Sequence, residues 1–187
     1  LSVVAFSRDF DQLQPAMAGP SSSSLRRRPR LIGPRKTVAI IASTFHENYV
    51  AAMIEHARDE LLASMPNASV PLYRVPGAFE IPVCASYVTT HTNVDVILAL
   101  GVVIRGETEH ADLVSTSVFQ ALQEVAITSQ VPIINEILLL DDEEQAEERC
   151  LGEDLNRGTE AGQAAVSMAE LFTKLRETYP DVIDKTG

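Results

Sequence analysis

The chain has 187 residues, which is enough for one domain with its own hydrophobic core. Apolar residues make up 45% and charged residues 22%, the usual balance of a soluble globular protein, and no apolar run approaches the length of a membrane span. The formal net charge is −11, which disfavours binding to nucleic acid, so we expect neither a nucleic-acid nor a membrane partner.

The charge is distributed unevenly along the chain. Residues 1–36 contain seven Lys or Arg and two Asp, a net of +5, and include the stretch GPSSSSLRRRPRLIGPRK. This stretch has no apolar period, which predicts a flexible basic arm. A Ser- and Arg-rich beginning is also typical of an organellar transit segment, and that alternative stays open. Residues 37–187 carry a net of −16, and we predict that they form the folded domain.

The two cysteines, Cys84 and Cys150, lie far apart in the sequence and match no metal-ligand spacing. They fit a reducing compartment, in which each is expected to be a buried thiol. We therefore predict a cytoplasmic protein without a metal site, apart from the open question of the transit segment.

Four short runs rich in β-branched residues predict buried strands. They are TVAIIAST, SVPLYRVP, VDVILALGVVI and VPIINEILLL, over residues 37–44, 69–76, 94–104 and 131–140. Apolar residues at helical spacing predict five helices between and after these strands. The helices cover residues 46–65, 77–92, 110–130, 141–150 and 157–179.

Strands and helices therefore alternate along the chain. This order predicts a three-layer α/β/α sandwich with a four-stranded parallel sheet and right-handed crossovers. Ligands of such sheets bind outside the carboxyl ends of the strands. These ends are the segments STFHE, RVPGAFE and VVIRGETEH and the stretch that follows PIIN. We expect the functional residues mainly in these segments.

Titratable side chains are dense directly after the third strand, in the motif IRGETEH. Gly106 permits a tight turn or a close approach of the backbone to a ligand. The amides of Glu107 and Thr108 lie just before a helix, where N–H groups suit a phosphate. His110 begins that helix, and because histidine titrates near neutral pH it can both donate and accept protons.

A solvated ion-pair cluster is the alternative interpretation of the same motif. Arg105 would then pair with Glu107 and Glu109, and His110 would only mark the entry to the helix. The local sequence does not favour one interpretation over the other.

The motif VPGAFEIP places Phe79 and Glu80 between two prolines at the end of a strand. A rigid turn can hold the carboxylate inward, where it accepts hydrogen bonds from a polyol or an amine. The alternative is a simple strand-to-helix turn in which Glu80 favours the helix dipole. Phe45, after the first strand, could stack on a flat heterocycle, although a place in the core is the commoner role for phenylalanine.

Arg149 lies in the strongly acidic stretch DDEEQAEERC. It either pairs along the helix with Glu144 or Glu147, which is the commoner arrangement, or points its guanidinium at an anion. The sequence contains no P-loop, no GxGxxG, no zinc spacing and no GxSxG motif.

Four motifs, VPGAFEIP, ALGVVIRGETEHADLV, EEQAEERC and NRGTEAGQAA, together resemble the lumazine synthase family in order and spacing over about residues 37–176. The resemblance implies a flavodoxin-like catalytic domain over residues 37–187. It also implies the penultimate step of riboflavin biosynthesis. In that step 5-amino-6-(D-ribitylamino)uracil condenses with 3,4-dihydroxy-2-butanone 4-phosphate to give 6,7-dimethyl-8-ribityllumazine, phosphate and water.

The resemblance also implies roles for individual residues. Phe45 would stack on the pyrimidine ring, and His110 would transfer protons. The remaining substrate-binding residues would be Ala78, Phe79, Glu80, Val102, Val103, Ile104 and Asn135. The amides of Glu107 and Thr108 would hold the phosphate, with Arg149 as its cation. No cofactor is expected, because every step is a proton transfer or an elimination.

Some positions depart from the family pattern. Asn135 and Glu136 replace an apolar or aromatic residue and a glycine that the family usually has after the fourth strand, so Asn135 should face the pyrimidine with a polar side chain. Glu136 should crowd the site or repel phosphate there. His46 replaces a common Asn. These departures leave open a relative that holds riboflavin or a lumazine without catalysis.

The resemblance further implies a homopentamer with active sites between subunits, in which Arg149 serves the neighbour's site. The segment CLGEDLNRG is longer than in members that form sixty-subunit shells, which predicts a free pentamer. A generic flavodoxin-like nucleotide binder is a third hypothesis. It requires a phosphate loop after the first strand, and STFHENY lacks the glycine that such a loop needs.

Overall fold

Four parallel strands form the centre of the fold. A computed structural model describes residues 35–106, 109–152 and 156–179. The strands are β1 (Val38–Ser43), β2 (Leu72–Val75), β3 (Val96–Ile104) and β4 (Ile133–Leu140). They form one sheet in the order β2-β1-β3-β4, which is the flavodoxin-like order without its last strand. The predicted arm over residues 1–36 lies outside the described residues, except for its last two positions.

Helices cover both faces of this sheet. They are α1 (Glu47–Ser64), α2 (Ile81–His91), α3 (His110–Ser129), α4 (Glu143–Leu151) and α5 (Arg157–Thr178), with a short 3-10 helix at Ala78–Glu80 before α2. One core cluster joins the sheet to α1, α4 and α5, and the other joins it to α2 and α3. The predicted three-layer α/β/α sandwich is therefore confirmed.

Alternate residues of β1, β3 and β4 enter opposite core clusters. In β3, Leu98 and Leu100 face α1, α4 and α5, whereas Ile97 and Ala99 face α2 and α3. Both faces exclude water, so the strand reads as a continuous apolar run rather than an alternating one. This property is why the strands could be recognised from the sequence.

Two glycines allow α5 to pack closely on α1. A Cβ added at Gly158 would lie 2.3 Å from the backbone oxygen of Met53, and one at Gly162 would lie 2.9 Å from Cβ of Glu60. Positions four residues apart lie on the same face of a helix, so both glycines meet α1. Glycine destabilises the interior of a helix, but at these two positions it allows the two backbones to come into close contact.

Asn135 and Glu136 lie inside β4, as the strand predicted over residues 131–140 implies, and not after the strand, where the comparison with the family pattern put them. They are the third and fourth residues of β4, level with Ala99 and Leu100 of β3. The strand continues through both polar residues because Asn135 is exposed and Glu136 has a cationic partner in Arg157. The carboxyl end of β4 is therefore Leu140, five residues further along the chain.

Candidate active site

The carboxyl ends of the strands meet along one edge of the sheet, because all four strands are parallel. Ser43 at the end of β1 is level with Val75 at the end of β2. Ile104 at the end of β3 is level with Leu140 at the end of β4. The predicted site segments that follow β1, β2 and β3 are therefore brought together at this edge.

Phe45 lies two residues after β1 and is 66% exposed, so it does not take the core position that is the commoner role of phenylalanine. Its ring contacts the His46 imidazole edge to face, with the centroids 4.7 Å apart. His46 has a left-handed backbone, with φ of 54° and ψ of 48°, at the start of α1. Such a conformation is disfavoured for most side chains, and the exposed phenyl ring beside it remains accessible for stacking.

Thr44 connects this segment to the turn that follows β2. Its N–H donates to the carbonyl oxygen of Val75 at 2.8 Å, and its hydroxyl donates to the carbonyl oxygen of Pro76 at 3.1 Å. Two direct hydrogen bonds thus place Phe45 beside the VPGAFE turn.

The turn itself is closed by Glu80. Its Oε2 accepts the N–H of Gly77 at 2.9 Å, so this carboxylate caps its own turn, as the simpler of the two sequence interpretations predicts. The other carboxylate oxygen makes no hydrogen bond within the described residues. Ala78 is buried against the sheet, whereas Phe79 is 61% exposed at the same edge. The turn therefore presents a second accessible phenyl ring and one carboxylate oxygen.

The backbone of β3 extends beyond its β1 partner. The pairing of β1 with β3 ends at Ala42 and Leu100, whereas the pairing of β3 with β4 continues to Ile104. The last residues of β3, which are Val102, Val103 and Ile104, therefore have β4 on one side only. Their remaining backbone groups lie at the edge where Phe45 follows β1, and could contact the rim of a flat ligand.

Arg105 takes part in an ion-pair cluster with two aspartates, and Glu109 is not among its partners within the described residues, while Glu107 lies outside them. Its guanidinium contacts Asp112 in the first turn of α3, at 2.8 Å from Nη2 to Oδ1, and also pairs with Asp141 after β4. Its N–H donates to the carbonyl oxygen of Leu140. The hydrogen bond from Arg105 lowers the pKa of Asp112. Hydrogen bonds from Gln145 and then Arg105 lower the pKa of Asp141. This arginine therefore ties β3, α3 and the end of β4 together.

His110 is the first residue of α3 and is exposed to solvent. It lies two residues before Asp112, so the Arg105 ion pair fixes the helical turn that carries the imidazole. Gly106 has no positive φ, and a Cβ there would meet nothing within 4 Å. The backbone at Gly106 therefore does not require glycine for a left-handed turn. The open space beside it leaves room for a ligand. Glu107 and Thr108 lie outside the described residues.

Arg149 lies in the last turn of α4, and its side chain is exposed. The predicted pairing with Glu144 or Glu147 does not occur, and the guanidinium has no ion pair among the residues that the structure describes. The main chain directly after Arg149 is held by Asn156, because the Nδ2 of Asn156 donates to the carbonyl oxygen of Cys150 at 2.7 Å. A fixed backbone and an unpaired cation suit the binding of an anion.

Asn135 is not at the carboxyl edge of its own sheet. It lies five residues before Leu140, which corresponds to about 16 Å along a strand. Its Oδ1 accepts the N–H of Ile137 at 3.2 Å, and the residue is exposed on β4, the edge strand. Asn135 therefore lies apart from the segments that meet at the carboxyl edge of its own sheet.

Glu136 points to the opposite face from Asn135 and is bound by Arg157. The guanidinium donates from Nε at 3.1 Å and from Nη2 at 3.3 Å. Burial raises the pKa of Glu136, and Arg157 opposes that rise. The expectation that Glu136 crowds the site or repels its phosphate is wrong, because the carboxylate lies against the start of α5 and already has a counter-ion.

A family model described as 6,7-dimethyl-8-ribityllumazine synthase matches residues 35–173. The chain belongs to this family. Its members are transferases that form a lumazine from two small-molecule substrates in riboflavin biosynthesis, so this chain is an enzyme of that class. The match contains the whole sheet and every predicted site residue. Within the described ranges, no helix combines the length and the apolarity needed to cross a bilayer.

Sequence reasoning missed the residues whose hydrogen bonds and ion pairs hold the segments of this site in place. The partners of Arg105 are 7 and 36 residues away in the sequence, and no local pattern indicates such pairs. Asn156 did carry a signal, because Asn directly before a helix is a favoured N-cap residue. Thr44 carried none, since a short polar residue after a strand has many roles.

Proposed function

We propose that the chain condenses 5-amino-6-(D-ribitylamino)uracil with 3,4-dihydroxy-2-butanone 4-phosphate. The products are 6,7-dimethyl-8-ribityllumazine, phosphate and water. The observation that carries this proposal is the pair of exposed phenyl rings, Phe45 and Phe79, beside the overhanging end of β3. That combination provides flat apolar surfaces for stacking and backbone hydrogen-bonding groups at the same edge of the sheet, which are the two kinds of contact that a pyrimidine uses.

The pyrimidine stacks on Phe45, and the backbone of residues 102–104 binds its edge. The segment Ala78–Glu80 lines the ring and the ribityl chain. The carboxylate oxygen of Glu80 that is not used in its own turn is the natural acceptor for a ribityl hydroxyl group. This arrangement holds the amine of the substrate in front of the first turn of α3.

His110 moves the protons of the reaction. The 5-amino group adds to the ketone of the second substrate, and loss of one water gives an imine. Loss of a proton from the adjacent carbon expels phosphate and leaves an enol, which takes up a proton to become a ketone. The ribitylamino nitrogen adds to this ketone, and loss of a second water closes the ring, so that one phosphate and two waters leave in total. An imidazole both donates and accepts protons near neutral pH, so one residue serves several of these steps. Holding both reactants in contact supplies a further part of the acceleration, up to about 7–11 kcal/mol for well-aligned groups.

The phosphate binds to Arg149 and to the amides of Glu107 and Thr108. The guanidinium of Arg149 has no ion pair with any residue that the structure describes, which supports this role, because an arginine already bound to a carboxylate would have to exchange partners. The reaction needs no cofactor, since proton transfer and elimination account for every step.

We also propose a free homopentamer, located in the cytoplasm, with each site between two subunits. Exposed apolar side chains support an interface: Phe79, Val83 and Tyr87 recur every four residues along the start of α2, and Leu113 is exposed on α3. Apolar groups at such spacing form a continuous stripe that favours burial by a partner. In this assembly Arg149 and Asn135 contribute to a neighbouring subunit's site. Sedimentation equilibrium giving a monomer mass would contradict it.

The test of the reaction is to mix the protein with both substrates and follow the fluorescence of the lumazine. We expect product only when both substrates are present. Flavin titration of the same sample separates catalysis from simple binding. Tight binding of riboflavin without product formation would replace the proposed reaction by the non-catalytic alternative.

A further inference from the structure

Asn156 is one of the few buried polar residues of the described chain, with 3% of its surface exposed. It lies between the end of α4 and the start of α5. Its side-chain amide uses both of its ends. Oδ1 accepts the N–H groups of Gly158 and Thr159 at 2.9 and 3.3 Å, and Nδ2 donates to the carbonyl oxygens of Cys150 and Gly152 at 2.7 and 3.1 Å.

One end of this amide is anchored at the close contact between α1 and α5. Gly158, which donates to Oδ1, packs directly on the backbone of Met53 in α1. The start of α5 therefore cannot shift without breaking the contact between α1 and α5. The position of Asn156 is fixed by the same contact.

The other end of the amide fixes the last turn of α4. The final carbonyl groups of a helix have no partner within the helix, and Nδ2 satisfies that of Cys150. The Cys150 side chain is itself fully buried in the core. Arg149 immediately precedes Cys150 in the chain. Its backbone is therefore held in place by the buried Cys150, while its own side chain is exposed to solvent.

We propose that Asn156 is a positioning residue for Arg149, and that it holds this guanidinium in the geometry that binds the substrate phosphate. The inference rests on the proposed function of Arg149 as the phosphate cation. Asparagine is needed because an amide both accepts and donates. A carboxylate or a hydroxyl at the same place can still cap α5 but cannot donate to two carbonyl groups.

The chain offers a matched pair of variants. Asn156→Ser and Asn156→Asp both keep an acceptor for the N–H groups of Gly158 and Thr159, because Ser and Asp are favoured N-cap residues. Asn156→Asp loses both bonds to the end of α4 and faces two carbonyl oxygens, whereas Asn156→Ser can keep at most one of them through its single hydroxyl proton. If one variant fails to fold, the other still reports on positioning.

The measurement has two parts, each made on the full chain with Arg149→Ala as reference. The first is the KM of each substrate, and the second is the dissociation constant of inorganic phosphate from calorimetry. We expect both Asn156 variants to raise the KM of the phosphorylated substrate and the phosphate dissociation constant by about tenfold, the loss expected for a weakened charge-assisted bond. The KM of the pyrimidine should not change, and Asn156→Ser should add nothing to Arg149→Ala.

A purely structural role predicts a different pattern. If the variants lower the melting temperature but leave phosphate affinity unchanged, or raise both KM values equally, Asn156 does not position Arg149. Wild-type protein that does not bind phosphate would also overturn the inference. Wild-type protein that binds phosphate but forms no lumazine would overturn the proposed reaction alone, because the phosphate affinities of the variants still test the positioning.

Discussion

The carboxyl edge of the sheet and the α4–α5 junction are built in opposite ways. At the carboxyl edge, Phe45, Phe79 and His110 are exposed, and Gly106 borders open space. At the junction, Asn156 is buried with four hydrogen bonds and Gly158 touches the backbone of α1. The family motifs therefore divide into two kinds. VPGAFE and the described part of RGETEH expose side chains at the carboxyl edge, whereas Asn156 and Gly158 of NRGTEAG are held by hydrogen bonds and close packing.

This difference predicts the largest effect for His110→Ala. Turnover should fall by about 10²-fold to 10⁴-fold, the usual contribution of a general acid–base residue, while the melting temperature stays close to that of the wild type. Steady-state kinetics and thermal unfolding measure both quantities. His91→Ala is the control, because His91 is an exposed histidine stacked on Tyr87 near the end of α2. Unchanged turnover in His110→Ala would remove this residue from the mechanism.

At the α4–α5 junction, we expect a substitution to change the free energy of unfolding. Gly158→Ala places a methyl group against the backbone of Met53, and we expect the free energy of unfolding to fall by about 1–3 kcal/mol. Gly106→Ala is the matched control, because its Cβ meets nothing within 4 Å, and its unfolding free energy should change far less. Urea denaturation of both variants makes the comparison. Equal stability losses would show that the two regions are not packed as differently as described.

The carboxyl edge also contains a strained backbone position. His46 has a left-handed conformation directly after Phe45, and Asn tolerates this conformation better than His. We expect His46→Asn to raise the free energy of unfolding by up to about 1 kcal/mol, and the Asn that is common in the family at this position agrees with that expectation. A lower melting temperature for this variant would argue against strain at His46.

The smallest predicted effect is the pH dependence of stability that arises from Glu136 of β4, which pairs with Arg157 of α5. Burial raises the pKa of Glu136, and Arg157 only partly opposes it. A carboxyl group with a raised pKa adds stability below its ordinary value of 4.5, and this contribution is lost as the pH rises through the pKa of the folded state. The wild type should therefore lose stability relative to Glu136→Gln between about pH 4 and pH 7. A difference in melting temperature that is constant over this range would contradict it.

Much of the fold could be predicted from the sequence, because parallel strands buried on both faces read as long apolar runs. The run ending at Ile104 and the helix starting at His110 are examples. The site segments followed from the rule that ligands bind at carboxyl ends. Their identification as one site came from the motifs and their family resemblance.

The errors arose where a long-range contact changed the meaning of a local pattern. Asn135 and Glu136 look like a strand end, because polar residues usually interrupt a buried strand. The partner that makes Glu136 acceptable, Arg157, is 21 residues further along the chain. In the same way Arg105 has acidic neighbours in sequence but pairs with Asp112 and Asp141. No single-sequence pattern states which of several carboxylates an arginine will reach.

The most direct test of the carboxyl-edge site is the affinity of 5-amino-6-(D-ribitylamino)uracil for the wild type and for Phe45→Leu. Phe172→Leu is the control, because Phe172 borders an apolar groove near the beginning of β4, at the other edge of the sheet. Loss of stacking on Phe45 should weaken binding by about tenfold, and the Phe172 variant should bind as the wild type does. Equal affinities of the wild type and Phe45→Leu would contradict the site described here.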